Sequence, residues 1–291
     1  MENELKDLIG RVITAVATDE NDEFYFMQQK GLTFRLAKDE LEQPVKIGTA
    51  VTGFAYENAE HELQLTKKVP QSGLNQYAFG EVVNVRRNLG VFVDIGLPNK
   101  DIVVSLDDLP EVTKIWPKKG DRLMIGLKID NKNRLWGELA SEEIFRGLAA
   151  KADQKMQNKD VEATAYRMKI AGTHVLTDDY YLGFIHPSER DDEPRLGQKL
   201  QARVIGVRPD GILNLSLRPR AYEAISDDAQ MILAALKHQN GELGYTDKST
   251  PDEIKAFFGI SKGQFKRAVG HLMKAGLVRQ ADGRLILNQQ D

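Results

Sequence analysis

Residues 80–96 read GEVVNVRRNLGVFVDIG. Two short stretches rich in β-branched residues flank Arg87 and Asn88, and a glycine opens the second stretch. That is the pattern of two strands joined by a tight turn. Alternate residues of a half-buried strand face opposite ways, so Val91, Val93 and Ile95 share the core face and Phe92 points outward. Downstream, DIVVSL (101–106) and KKGDRLMIGLKIDNKNRLWGEL (118–139) add three more strands. Five strands in about 60 residues fit a small barrel closed enough to hide its edges.

The same arrangement recurs twice. A later copy runs VEATAYRMKIAGTHVL (161–176), YLGFIHPSE (181–189) and RLGQKLQARVIGVRPDGILNLSL (195–217). An earlier one runs GRVITAVATDENDEFYFMQ (10–28), TFRLAKDEL (33–41) and KIGTAVTGFAYENAEHELQLT (46–66). Strands are expected over 11–17, 81–87, 91–95, 102–105, 123–129, 200–207 and 212–217. Between the second and third copies, Ser141 followed by two glutamates resembles a helix start, and Ile144, Leu148, Ala152 and Met156 recur every four residues. This spacing predicts a linker helix.

After Arg220 the texture changes. Ser226 caps a helix with apolar Met231, Ile232, Ala235 and Leu236. Thr250 with Pro251 at the first helical position opens a second helix. Ser261 caps a third, KGQFKRAVGHLMKA (262–275), which Gly276 closes. Asp282-Gly283 forms the tip of a hairpin in LVRQADGRLILN (277–288). Gly241-Glu242-Leu243-Gly244 reads as loop punctuation. Three helices and a hairpin, with a glycine-containing turn between helices two and three, make a winged helix-turn-helix pattern. The expected domains are residues 1–68, 69–140, a linker helix 141–158, 159–220 and 221–291.

Composition narrows the chemistry. The net charge is -3 over 291 residues, so attraction to phosphate must come from local patches. Absence of cysteine excludes disulfides, thiolate-bound zinc and thiol catalysis, and fits a reducing compartment. The charged first ten residues do not read as a signal peptide, and no run of about 18 apolar residues suggests a membrane span. A cytoplasmic, membrane-free protein is the expectation. Five scattered histidines and the lack of HExxH, GxSxG or a glycine-rich phosphate loop give no catalytic constellation, cofactor site or metal site. Asp191-Asp192-Glu193 reads as a solvated loop before Pro194.

The outward rings carry the functional reading. A nucleobase is a flat partner for an exposed ring, and stacking one is worth roughly 1–3 kcal/mol. Tyr25 in the first copy and His174 in the third are expected at the position of Phe92. Charge ranks the copies: residues 1–68 hold 13 acids and 8 bases, whereas residues 79–140 and 159–220 each hold 10 bases and 9 acids. The first barrel is expected to bind weakly or to serve as an interaction module. In the third C-terminal helix, Phe265, Val269 and Leu272 form the core stripe, leaving Lys262, Lys266, Arg267 and Lys274 with no acid in the segment. Such cations on a recognition helix contact phosphate.

The second copy resembles the S1 RNA-binding domain, an OB-fold family. That family carries an aromatic before the strand-two glycine, another three residues later, a histidine in a G-L-x-H-x-S run, and an aspartate and arginine near strands four and five. Phe92, Asp130 and Arg134 match; Leu89 and Val104 stand where the first aromatic and the histidine would sit. The third copy matches with His186 in GFIHPS and carries Arg203 on its fourth strand, departing at Ala171. In the first copy Asn58 and Glu62 take the aspartate and arginine places. The whole module order, with GISKGQFKRAVGHLMKAGLV (259–278) at its end, resembles the bacterial conserved virulence factor B family. The resemblance implies three S1/OB-fold barrels plus a C-terminal α+β winged helix, and a regulatory RNA-binding role. It assigns RNA contact to the third barrel and winged helix, here His174, His186, Arg203, Lys262, Lys266 and Arg267.

The leading expectation is a non-catalytic binder of single-stranded RNA that gains affinity by placing several modules on one strand. Two alternatives belong to other classes. One is a winged-helix regulator binding DNA. The other is a scaffold that docks on the ribosome or on RNA-processing proteins.

Overall fold

Repetition in the sequence becomes repetition in space. The computed structural model describes residues 2–219 and 226–288. A short helix, α1 (Glu2–Leu8), leads into β1 (Arg11–Glu20), β2 (Phe24–Gln29), β3 (Leu32–Ala37), β4 (Ala50–Glu57) and β5 (Leu63–Thr66). The second barrel contains β6 (Ala78–Arg86), β7 (Gly90–Asp94), β8 (Ile102–Ser105), β9 (Arg122–Ile129) and β10 (Leu135–Leu139). After α2 (Glu142–Leu148), the third contains β11 (Asp160–Lys169), β12 (Gly172–Thr177), β13 (Leu182–Ile185), β14 (Lys199–Val207) and β15 (Leu213–Ser216). In all three the sheet closes with the strands in spatial order one, two, three, five, four. Each first strand carries a bulge at the same place, between Ala17 and Asp19, Val82 and Asn84, and Ala165 and Arg167. An extra residue there bends the strand and raises its twist, which helps a five-stranded sheet close.

Glycine is required where the second strand begins. Gly90 has φ +137° and a Cβ there would lie 2.0 Å from the Val104 carbonyl oxygen. Gly172 repeats this with φ +149° and 2.4 Å to the Ile185 oxygen. No other residue permits so close a backbone approach.

The barrels share contacts as well as a plan, and residues 1–217 form one unit. Ile9, Phe54 and Tyr56 of the first barrel join the apolar core of the second. The Tyr56 hydroxyl donates to the Pro98 carbonyl at 2.6 Å, and the Ala59 N–H to Asn99 at 3.0 Å. Arg195 of the third barrel grips Asp121 of the second through two hydrogen bonds, 3.1 and 3.0 Å, and Leu196 enters the second barrel's core.

The linker departs from expectation. Helix α2 stops at Leu148, and Ala149 is already extended. Ala150 bridges to Tyr181, and the Ala152 N–H bonds to Gly211, so β-type contacts with the third barrel override the four-residue periodicity. Phe145 is the buried residue, whereas Leu148 is 45% exposed.

Residues 218–291 form a second unit. The expected boundary at 220/221 falls on residues 220–225, which lie outside the described residues. Helices α3 (Asp227–His238), α4 (Pro251–Phe258) and α5 (Lys262–Lys274) pack over a small sheet of β16 (Glu242–Leu243), β17 (Val278–Ala281) and β18 (Arg284–Leu287), ordered β16-β18-β17. Thr250 with Glu253, and Ser261 with Gln264, make reciprocal capping boxes. Asp282 and Gly283 both take positive φ, as a two-residue type I′ hairpin needs. Glu242 and Leu243, expected as loop, pair instead with Ile286 and Leu285 and complete the sheet. Phe265, Ala268, Val269 and Leu272 of α5 lie in the core.

Candidate nucleic-acid interface

In the second barrel, Phe92 lies half-buried on the outer face of β7, opposite Asn84. The Arg86 guanidinium covers its ring at 4.9 Å. Two strands away, Trp136 occupies the outer face of β10, with Arg134 at 5.4 Å from its ring. Val103 on β8 lies beside Phe92 in register. Asp130 organises this corner. Its carboxylate accepts from Arg134 Nε at 2.8 Å, Trp136 Nε1 at 3.1 Å and the backbone N–H groups of Lys132 and Arg134 at 2.8 and 2.9 Å. Burial pushes this carboxyl up, but the hydrogen bonds from Arg134, Lys132 and Trp136 together outweigh it and hold it at about 2. Asp130 therefore positions Arg134 and Trp136.

The first barrel corrects one expectation. Tyr25 is 3% exposed and belongs to the barrel core, where its hydroxyl accepts from the Val45 N–H at 3.0 Å. The residue in register with Phe92 and His174 is Phe26. It pairs with Asp19 just past the bulge, as Phe92 pairs with Asn84 and His174 with Arg167. A slip of one residue turns a side chain to the opposite face. Around Phe26 the surroundings differ: Arg35 is paired with Glu62 at 2.6 Å, and Gln64 stands in register where the second barrel has Trp136.

In the third barrel His174 sits half-buried between Tyr166, 6.1 Å away, and Phe184, which meets it edge-on at 5.5 Å. Tyr166 stacks at 3.9 Å on Phe145 of α2. Burial, followed by the nearby Lys169, lowers the His174 pKa from its ordinary value, which favours the neutral ring. Arg208 lies 4.9 Å over the Phe184 ring and donates to Asn214 Oδ1 at 2.8 Å. Glu142 gathers Lys169 and Arg146 at 2.8 Å and Arg167 at 3.7 Å; the hydrogen bonds from Lys169 and then Arg146 bring its carboxyl down to about 2.

His186 is exposed, and its Nδ1 accepts from the Ser188 N–H at 3.2 Å, capping the short turn Pro187–Glu189. In register its counterpart in the second barrel is Ser105, which caps the equivalent turn. Val104, expected at the histidine position, is instead fully buried in the core. Arg203 pairs with Ser216, two residues along β15 from Asn214, and so stands about 7 Å from the Phe184–Asn214 rung. Arg208, in the place that Asp130 holds in the second barrel, supplies the cation beside the rings.

Sequence reasoning missed Trp136, Phe184 and Arg208. The alternation in Leu135-Trp136-Gly137 and Gly183-Phe184-Ile185 contains the signal, since the flanking residues are buried.

On α5, Lys266, Arg267, His271 and Lys274 are exposed and Lys262 is half-buried. No carboxylate among the described residues pairs with Lys262, Lys266 or Arg267.

Three barrels with rings and guanidinium groups on their faces, followed by a winged helix, define a modular protein of a nucleic-acid-binding type. Comparison with known proteins narrows this. Residues 9–68 match the S1 domain, 77–138 the CvfB first S1-like domain, 145–219 the second domain of virulence regulatory factor CvfB, and 230–287 the CvfB-like winged helix domain. The protein named conserved virulence factor B of Staphylococcus epidermidis is 36% identical over 289 residues, covering 98% of this chain and 96% of that one. Uncharacterized protein YitL of Bacillus subtilis is 40% identical over 274 residues, covering 94% and 92%. A crystal structure from Streptococcus pneumoniae, described as a multidomain protein with nucleic acid binding domains, is 51% identical with a TM-score of 0.72, covering 97% and 99%. The chain belongs to the conserved virulence factor B family.

No helix among the described residues is long and apolar enough to cross a membrane.

Proposed function

We propose that the chain binds single-stranded RNA without catalysis and acts as a post-transcriptional regulator in the cytoplasm. The observation that carries this is the recurrence, on the same face of two barrels, of half-exposed rings each covered by a guanidinium group: Phe92 with Arg86 and Trp136 with Arg134, then Phe184 with Arg208. Bases in a duplex already stack on one another, so such rings select unpaired strands. The cations beside them suit the phosphates that flank a stacked base. Stacking alone confers modest sequence preference. The description of the family matched by residues 145–219, virulence regulatory factor CvfB, supports the regulatory part of the reading.

A second reading has one observation in its favour. Lys262, Lys266 and Arg267 of α5, which pair with no carboxylate among the described residues, would suit the backbone of duplex DNA, the usual partner of a winged helix. Competing duplex DNA against a single-stranded RNA of matched length for the full chain decides between them. The RNA is expected to hold its place against a tenfold excess of duplex. Displacement by equimolar duplex would overturn the RNA reading.

A further inference from the structure

The loop that follows β4 ends against the ring-bearing face of the second barrel. It is fixed there by the Tyr56 hydroxyl on Pro98 and by the Ala59 N–H on Asn99. Between loop and face lies a cleft of about 430 Å³. Phe92 and Trp136 line it, Arg86 and Lys100 supply positive charge, and Glu57 and Asp101 supply two carboxylates. The first barrel thus contributes a wall to a site whose stacking surfaces belong to the second. Its acidic character, unhelpful for gripping a phosphate chain, has a use at this wall.

We propose that this cleft is a single-nucleotide site, with the base against Phe92 or Trp136, its phosphate beside Arg86 and Lys100, and its edge read by Glu57 and Asp101, so that it takes bases carrying an exocyclic amino group. The volume falls within the range of small-ligand pockets, about 300–1,000 Å³. The Arg86 guanidinium over Phe92 belongs to an exposed side chain, so an arriving base displaces it and leaves it beside the phosphate, whereas Asp130 holds Arg134 in place. A carboxylate only accepts hydrogen bonds. Adenine, cytosine and guanine carry an exocyclic amino group, whereas uracil has none and offers a single N3–H between two carbonyl oxygens. Glu57 is steadied by His61, whose Nδ1 lies 2.5 Å from Oε1. Burial and the neighbouring Asp94 raise the Asp101 pKa, as expected for a carboxylate drawn into a cleft. The ligand is either a free nucleotide or one nucleotide of an RNA strand. The site shares Phe92 and Trp136 with the proposed RNA-binding face and deepens that reading, adding base selectivity and a wall from the first barrel.

Trp136 reports on the site directly, because a stacked base quenches its emission. The chain's other tryptophan, Trp116, is buried elsewhere, with its indole N–H on Pro110. AMP, CMP and UMP are titrated against the full chain. AMP and CMP are expected to quench at concentrations about tenfold below UMP, and the three should converge when Glu57→Ala and Asp101→Ala are combined. An adenylate 12-mer then separates the sources. A half-point more than tenfold below that of AMP assigns the site to RNA, and equal half-points per nucleotide assign it to free nucleotide. Absence of quenching by all ligands, or equal half-points for AMP, CMP and UMP on the wild-type chain, overturns the proposal even if the double variant does not fold. RNA retained on a filter without quenching would leave RNA binding standing and refute the cleft. Quenching by AMP without RNA retention would do the reverse.

Discussion

Tyr25 and Phe26 are neighbours on β2 and face opposite ways. Tyr25 is packed in the first barrel's core, so Tyr25→Ala should cost about 3–5 kcal/mol of stability through the cavity it leaves. Phe92, half-exposed, should cost far less when replaced by alanine. Urea unfolding of both variants, followed by binding of a single-stranded RNA in the absence of urea, checks the pair. Tyr25→Ala is expected to shift the midpoint and leave affinity nearly unchanged, and Phe92→Ala to do the opposite. Asp130 carries a pH signature. Its carboxyl is held at about 2, below the roughly 3.9 of an unfolded chain, so the unfolded state takes up its proton first as pH falls. Its stabilising contribution is complete above about pH 4 and disappears as pH falls through 2. An acid titration of Trp136 emission should show a step in that window that is missing in Asp130→Asn. Alternation exposed Phe92 to a reader of the sequence, but Phe26 was hidden. The bulge after Ala17 shifts the pairing by one residue, and nothing in DENDEFYFMQ marks which ring it turns outward.

At the scale of elements, the winged helix was legible in detail because its signals are local. Thr250-Pro251 and Ser261 with Gln264 state where α4 and α5 begin, and Asp282-Gly283 states where the hairpin turns. Elements whose form depends on distant partners were not. Helix α2 ends early because Ala150 and Ala152 find β-type partners in the third barrel, and β16 exists only because β18 offers it an edge. The same applies to the site. Trp136 and Phe92 stand on strands far apart in sequence, and barrel closure alone makes them neighbours of one cleft. For α5 the expectation concerns charge. Lys266→Ala and Arg267→Ala should weaken RNA binding uniformly across homopolymers, and each should lower the slope of log affinity against log salt by about one. A base-dependent loss, or an unchanged slope, would separate α5 from phosphate contact.

Across the whole molecule the first two barrels and the third are tied by Tyr56, Asp121 and Arg195, so residues 1–217 present their faces as one unit. Rings on the second and third barrels then belong to one unit, and one strand that reaches both gains from the high effective concentration of the second contact. Two stacked bases, at roughly 1–3 kcal/mol each, barely offset the cost of association on their own. On the proposed reading, affinity for RNA therefore rests on both barrels acting together. The most direct measurement is the affinity of the full chain for a 20-nucleotide single-stranded RNA at fixed salt, with Phe92→Ala and Phe184→Ala made singly and together. Each single change is expected to weaken binding about tenfold, and the pair about a hundredfold, with the circular-dichroism spectrum unchanged. Wild-type affinity retained by the folded double variant would contradict the account.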